Sequence, residues 1–172
     1  MNPLEAIQAI AVDTAELPFA HTGLVEEQVI KHVHGIMVGN YRFILDTSVF
    51  CEIFESYQFC KIPRSPDGLV GMTNIRGSAI PIFNMYQLLG INDPALTKRR
   101  KRRLLAIDIA KDGFAIQIDL LPIKLRLKPT HKADIPDGIA SSLRPFISSA
   151  YYTDELWLEL DLFRFIDSKM VH

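Results

Sequence analysis

The sequence predicts a mainly β protein built from small barrels rather than a parallel α/β sheet. Short apolar runs alternate with turn-forming residues at close intervals, which is typical of hairpins, sandwiches and barrels. No segment provides the long crossover helices that a parallel sheet requires. With 172 residues, the chain can bury an ordinary apolar core without a disulfide or a structural metal.

The first third of the chain predicts a short helix, a connector and a hairpin. Asn2-Pro3 offers an N-cap and a proline at the first helical position, and apolar residues follow at helical spacing. Residues 17–23 contain proline and glycine and predict a connector. His32–Val38 and Tyr41–Leu45 are apolar-rich runs separated by Gly39-Asn40, two residues that tolerate positive φ. This pattern predicts a β-hairpin.

The segment from Lys61 to Gly90 has the clearest succession of turn, strand and helix signals in the sequence. Turn-rich residues lead to Ser78–Ile82, an apolar run that predicts a strand. Pro81 has no N–H to donate, so it predicts the end of that strand or a sheet edge. Phe83–Leu89 predicts a short helix that stops at Gly90, the residue type preferred after a helix end.

The second half repeats these features. Leu104–Ile109 and Phe114–Asp119 flank a turn and predict another hairpin. Leu156–Leu160 predicts a final strand, and Asp161 can cap a helix over Leu162–Ile166.

Composition narrows the classes of function. No apolar run approaches the roughly 20 residues needed to cross a bilayer, and no secretion signal is visible, so a soluble cytoplasmic protein is expected. Residues 98–172 carry a net charge of +4. Without the six consecutive cations Lys98–Arg103, the net charge of the same stretch would be −2. Such a run on a loop is most often solvated, but it can also bind nucleic acid or another anionic surface. The rest of the chain is net negative and no aromatic residue interrupts the run, which disfavours nucleic acid.

The segment from Lys61 to Gly90 resembles the signature of the CheW-like domain family, the adaptors of bacterial chemosensory arrays. The positions in register with that signature are Pro63, Pro66, Gly71, Asn74, Arg76, Gly77, Pro81, Leu89 and Gly90. The family usually has an aspartate where this chain has Asn84.

The resemblance implies a fold of two small five-stranded SH3-like β-barrels packed together with short helices. It implies a CheW-like domain over residues 28–168, after a lead with a short helix at 1–27 and before a tail at 169–172. It also implies a non-enzymatic adaptor in chemotaxis or in type IV pilus twitching motility. One face would bind the regulatory domain of a CheA-like chemosensory histidine kinase, and a groove between the barrels would bind the cytoplasmic tip of a methyl-accepting chemoreceptor. The alternative is a nucleic-acid-binding β-barrel protein that uses residues 98–103.

Arg76 and its surroundings are the candidate partner-binding site. The guanidinium is expected to be partly buried and therefore to need a carboxylate, most plausibly Glu52. A structural role in that pair and a role in a protein-binding groove both remain open. The resemblance implies that the partner-binding residues are Phe50, Glu52, Asn74, Ile75, Arg76 and Asn84. Composition alone favours the core for Phe50, Ile53 and Phe54, whereas strand alternation places Phe50 on the face opposite Cys51.

Other chemistry finds little support. His32 and His34 would share a face of a strand and could hold a metal, but no spacing supplies a third ligand. Cys51 and Cys60 match no redox or zinc pattern and are expected to be buried thiols. No nucleophile elbow or glycine-rich phosphate loop is present, so neither an enzyme nor a cofactor is expected.

Overall fold

The computed structural model describes residues 31–92 and 102–171. Their strands and helices are, in order, β1 (Lys31–Val38), β2 (Tyr41–Asp46), β3 (Cys51–Phe54), β4 (Leu69–Ile75), β5 (Ser78–Phe83), α1 (Met85–Leu88), β6 (Arg103–Ile107), β7 (Phe114–Ile118), β8 (Ile123–Leu127), β9 (Lys132–Ala133), β10 (Ile147–Tyr152), β11 (Leu156–Leu160) and α2 (Leu162–Met170). The helix and connector predicted before residue 28 lie outside the described residues.

These strands form two sheets. The six-stranded sheet has the order β8-β1-β2-β11-β10-β9, and the five-stranded sheet has the order β3-β6-β7-β5-β4. The predicted mainly β fold with two small sheets and short helices is confirmed. The six-stranded sheet contains one strand more than expected, because the two-residue β9 pairs with β10.

Both predicted hairpins are present. β1 and β2 pair antiparallel around Gly39-Asn40, and β6 and β7 pair antiparallel from Arg103 opposite Ile118 to Ile107 opposite Phe114. Each sheet also contains one parallel pair, β2 with β11 and β5 with β7. From Lys31 onward, the chain therefore forms the first hairpin of the six-stranded sheet, then builds the five-stranded sheet, and returns to complete the first sheet.

The prediction for Pro81 is wrong. Pro81 lies inside β5 opposite Met72, and β5 is an interior strand between β4 and β7. The proline is tolerated there because β5 pairs with β7 only at Ile82 and Phe83, so on that side no ladder bond is required of residue 81.

Both predicted short helices are present, but α1 spans Met85–Leu88 and so begins two residues after the predicted start at Phe83, which belongs to β5. The side chain of Asn84 accepts a hydrogen bond from the N–H of Tyr86 at the start of α1, and Gly90 follows α1 with a φ of 68°. The carboxylate of Asp161 accepts from the N–H of Arg164 at 3.1 Å at the start of α2. α2 extends to Met170, beyond the predicted end at Ile166.

Three apolar clusters stabilise the fold. One cluster lies within the five-stranded sheet and contains Ile75, Ile80, Ile82, Leu104, Ala106 and Ala115. A second lies within the six-stranded sheet and contains Val33, Ile44, Leu127, Tyr151 and Trp157. The largest, called here the shared cluster, combines side chains of both sheets and both helices, among them Phe43, Leu45, Phe83, Ile116, Leu158 and Phe165. The two sheets are therefore held together by a continuous apolar interior.

Candidate partner-binding surface

The turn between β4 and β5 positions Arg76. Ile75 pairs with Ser78, which leaves Arg76 and Gly77 as a two-residue turn with φ values of 52° and 87°. Positive φ at both central residues is the signature of a type I′ turn, whose twist matches that of the flanking strands. The side chain of Asn74 accepts a hydrogen bond from the N–H of Gly77 at 3.0 Å, so Asn74 stabilises the turn.

The predicted pair between Arg76 and Glu52 is present. The Nη2 atom of Arg76 lies 2.8 Å from Oε1 of Glu52. Glu52 belongs to β3 and Arg76 follows β4, so this ion pair connects the two edge strands of the five-stranded sheet across its curl. Among the described residues, the second carboxylate oxygen of Glu52 is buried and has no hydrogen-bond partner.

The expected partial burial of the guanidinium is wrong. The side chain of Arg76 is 65% exposed, whereas that of Glu52 is 27% exposed. The physical reason is that Arg76 occupies the tip of a turn rather than a strand position. Much of the pair is accessible to solvent, so we assign it only about 0.2–1 kcal/mol of stability.

Beside this ion pair lies a cavity of about 400 Å³, called here the Phe50 pocket. It is lined by Phe50, Ile75, Arg76, Ser78, Ile109 and Ala110. Phe50 is 56% exposed, yet its backbone is fixed, because its carbonyl accepts a hydrogen bond from the N–H of Asp108 at 2.8 Å. An exposed aromatic ring on an anchored backbone next to an arginine is a composition that favours protein binding.

The expectation that Phe50 and Ile53 belong to the core is therefore wrong, since both are exposed. Phe54 is half-buried and packs against the cluster of the five-stranded sheet. Cys51 is half-buried against the shared cluster, so Phe50 and Cys51 do differ in exposure as alternation predicts. Sequence reasoning missed Ser78, Ile109 and Ala110, because they reach the pocket only through the pairing of separate hairpins.

Asn84 lies apart from this pocket. It follows the far end of β5, about 20 Å of extended chain from the turn. Asn84 is buried, its N–H donates to the carbonyl of Gly68 at 2.8 Å, and its side chain caps α1. The structure thus places five of the six candidate residues around the turn and β3, and Asn84 at a helix start.

A second concavity of about 280 Å³ lies between the two sheets and is called here the inter-sheet groove. It is lined by Ile44, Leu45, Asp46, Val49, Ile107, Ser148, Glu159, Leu160, Asp161, Leu162 and Phe163. Its lining is mostly apolar and includes three carboxylates. Val49 directly precedes Phe50, so the groove and the Phe50 pocket are adjacent along the chain.

The basic run differs from expectation where it is described. Lys98–Lys101 lie outside the described residues. Arg102 is largely buried, with its Nε atom 3.4 Å from a carboxylate oxygen of Asp119 and its guanidinium over the ring of Tyr86. Arg103 opens β6 and its Nε atom lies 3.5 Å from Oε1 of Glu55. These two arginines are not free loop cations, because the start of β6 fixes them against the fold.

Tyr86 completes this buried group. Its hydroxyl donates a hydrogen bond to Asp119 at 2.5 Å. Burial, and then the hydrogen bond to Asp119, raise the pKa of the Tyr86 phenol, so the ring stays neutral beside the arginine. The group links α1 to the five-stranded sheet.

The described ranges show little that could bind a metal or cross a membrane. They contain no group of three or more His, Cys, Asp or Glu side chains arranged to hold a metal ion. No helix within them is long and apolar enough to span a bilayer. Burial raises the pKa of the Cys51 thiol, which lowers its reactivity. The expectation of a buried thiol is wrong for Cys60, which is exposed.

Comparison with known proteins identifies a family and named relatives. Residues 32–170 match the family described as CheW-like domain. The chain is 21% identical to the chemotaxis protein CheW of Helicobacter pylori over 116 residues, which covers 67% of this chain and 68% of that protein. It is 24% identical to protein PilI of Pseudomonas aeruginosa over 126 residues, which covers 72% of this chain and 68% of that protein.

A solved structure supports the same assignment for the fold. The scaffolding protein TtCheW from Thermoanaerobacter tengcongensis aligns with a TM-score of 0.62 at 18% identity, covering 76% of this chain and 88% of that one. At this identity the likeness concerns the fold alone. Because the family match spans most of the sequence, it confirms the resemblance first visible between Lys61 and Gly90, and the chain belongs to the CheW-like domain family.

Proposed function

We propose that this chain is a non-enzymatic adaptor of a chemosensory pathway, in chemotaxis or in type IV pilus twitching motility. Family membership supports this class, since the relatives include a chemotaxis protein, a Pil protein and a scaffolding protein. The adaptor would connect the cytoplasmic tip of a chemoreceptor to the regulatory domain of a histidine kinase. Its contribution is contact with both partners, so that a change in one biases the other.

The Phe50 pocket is the proposed kinase-binding site. The observation that carries this assignment is the exposed ring of Phe50 beside the ion pair of Arg76 and Glu52. An aromatic centre with a charged rim concentrates binding energy in protein interfaces.

The inter-sheet groove is the proposed receptor-binding site. Amphipathic helices dock by placing an apolar stripe in a groove of this kind. Leu162 and Phe163 supply an apolar wall, while Asp46, Glu159 and Asp161 suit basic residues on the flank of a receptor helix. The groove and the Phe50 pocket are separate but adjacent, which suits simultaneous binding of two partners.

Nucleic-acid binding through residues 98–103 is disfavoured. Arg102 and Arg103 already have carboxylate partners, so neither is available without breaking an ion pair. Cations bind a phosphate backbone largely because binding releases counterions. An arginine that is already paired with a carboxylate contributes little to this release.

The kinase contact is tested by replacing Phe50 with aspartate and measuring binding to the purified regulatory domain of the cognate kinase by calorimetry. We expect Phe50→Asp to weaken binding about tenfold or more, because it removes an anchor ring from the interface centre. Tyr152→Asp is the matched control, since Tyr152 is an equally exposed aromatic residue, 58% against 56%, on the other sheet. Unchanged affinity of the Phe50 variant would refute this assignment of the pocket.

The receptor contact is tested separately with Phe163→Glu and a peptide hairpin of the receptor tip. We expect weaker binding of the receptor hairpin and unchanged binding of the kinase domain, because Phe163 lines the groove but not the Phe50 pocket. Loss of both interactions together with a lower melting temperature would point to misfolding. Loss of kinase binding alone would contradict the division into two sites.

A further inference from the structure

The outer edge of the six-stranded sheet carries a cationic face that the proposed adaptor function does not use. β8 is the terminal strand of that sheet, and no described strand pairs with its outer side. The register of β1 with β8 places His32 opposite Arg126 and His34 opposite Lys124. Directly opposed residues of an antiparallel pair project from the same face. Two basic side chains and two imidazoles therefore form one compact group, called here the β8 cationic face.

The geometry of this face is that of a binding cavity. The four side chains line a concavity of about 510 Å³ together with Val33, Thr47 and Leu125. No carboxylate lines it. The opposite face of the same strands is buried, since Val33 and Leu127 belong to the cluster inside the six-stranded sheet. The charges thus project outward from a rigid strand pair.

The electrostatics favour an anionic occupant. Some cations of the described residues have a carboxylate within 4.0 Å, among them Lys31, Arg42 and Arg103. Lys124 and Arg126 have no such partner within the described part of the chain, and cross-strand neighbours that are both basic gain no attraction from each other. A carboxylate of a bound partner would supply the negative charge that these two cations lack nearby.

The open edge of β8 favours an extended peptide as the binding partner. An extended peptide can add to an exposed edge through main-chain hydrogen bonds, with specificity supplied by its alternate side chains. Residues two apart on a strand lie on one face, about 7 Å from each other. Acidic residues at alternate positions would therefore match Lys124 and Arg126 one to one. The same cations disfavour pairing with a second copy of this chain, because like charges would meet.

We propose that the β8 cationic face binds an extended acidic segment of a partner protein, which pairs along the edge of β8 and sets alternate carboxylates against Lys124 and Arg126. Nucleic acid fits less well, because no Phe, Tyr or Trp side chain lines the cavity for base stacking.

The proposal is tested with the full chain and a synthetic peptide of four Glu-Thr repeats. We expect saturable binding that weakens as salt is raised, because exposed charges are screened. A peptide with the same composition but with its glutamates in one block should bind several-fold more weakly. Equal binding of both peptides, or no binding of the alternating one, would overturn the proposal.

Charge variants locate the site. Lys124→Glu with Arg126→Glu should abolish binding, whereas Lys111→Glu with Lys132→Glu should leave it unchanged. Both double variants change the net charge equally, but neither Lys111 nor Lys132 lines the cavity. Amide hydrogen exchange in β8 should slow when the peptide binds. Unchanged exchange in β8, or tighter binding of a single-stranded oligonucleotide than of the peptide, would refute strand addition by an acidic segment.

Discussion

Arg76 combines an unusual backbone with an exposed side chain. A non-glycine residue at φ 52° stores strain, which often accompanies a functional position. A glycine at position 77 tolerates positive φ, but the sequence pattern could not reveal that Arg76 shares this conformation. That depends on the two-residue length of the turn, which is set by the pairing of Ile75 with Ser78.

Arg76→Asn separates stability from binding. Asparagine tolerates the left-handed region, so the turn should persist, and loss of an exposed ion pair should change the free energy of unfolding by no more than about 1 kcal/mol. We expect kinase-domain binding to weaken, as measured by calorimetry beside urea unfolding. Arg76→Lys, which keeps a cation near Glu52, should bind better than Arg76→Asn. Full affinity of the asparagine variant would exclude Arg76 from the interface.

Asn84 tests the difference between a helix cap and a contact residue. Asn84→Ala removes the hydrogen bond to the N–H of Tyr86 and should lower the free energy of unfolding by about 1 kcal/mol. Asn84→Asp should retain most of that stability, because aspartate caps equally well. Urea unfolding of the three proteins measures this. Weaker partner binding by Asn84→Ala at unchanged stability would instead indicate a direct contact.

Residue exposure was the least predictable property. The pair of Glu52 and Arg76 was predicted because a guanidinium needs a carboxylate partner, although Glu52 lies on one edge strand of the sheet and Arg76 follows the opposite edge strand. The exposure of Phe50 did not follow, because a large apolar residue next to a strand is usually covered. Only the assembled sheet shows that no described element covers it.

At the scale of elements, several strands lack the alternation expected of a half-exposed sheet. In β6, Leu104 and Ala106 face the cluster within the five-stranded sheet, whereas Leu105 and Ile107 face the shared cluster. Both faces are buried, so the sequence reads as a continuous apolar run. Such a run predicts a buried strand but does not tell which cluster each residue joins.

The segment after β3 closes the five-stranded sheet against β4. Cys60 and Met72 exchange backbone hydrogen bonds of 2.8 and 2.9 Å, and the hydroxyl of Thr73 donates to the carbonyl of Gln58 at 2.6 Å. A Cβ added at Gly71 would lie 2.3 Å from the carbonyl oxygen of Cys60. Glycine is therefore required at this position so that the two backbones can approach.

Gly71→Ala should lower the free energy of unfolding by about 1–3 kcal/mol, because the backbone at Cys60 has to move to accommodate the methyl group. Gly138→Ala is the control, since an added Cβ there meets nothing within 4 Å. Guanidinium unfolding of both variants measures the difference. Equal stability of the two would show that the closing segment can shift without cost.

At the scale of the whole molecule, the shared cluster should couple the two sheets. Trp157 is the single tryptophan and is buried within the six-stranded sheet, so its fluorescence reports on that sheet. Leu104→Ala creates a cavity within the five-stranded sheet and should cost about 2–5 kcal/mol. We expect the Trp157 transition to shift as far as the far-UV circular dichroism transition. A Trp157 transition that does not move would show that the sheets unfold independently.

The route of the chain between the sheets also affects synthesis on the ribosome. Residues 51–118 contain all five strands of one sheet, whereas β2 of the other sheet needs β11, which ends at Leu160. Chains emerge with the N-terminus first. The five-stranded sheet can therefore be complete while the first hairpin still exposes an unpaired side. Until β11 is made, the free side of β2 is an unpaired strand edge, the kind of surface that favours association with other chains.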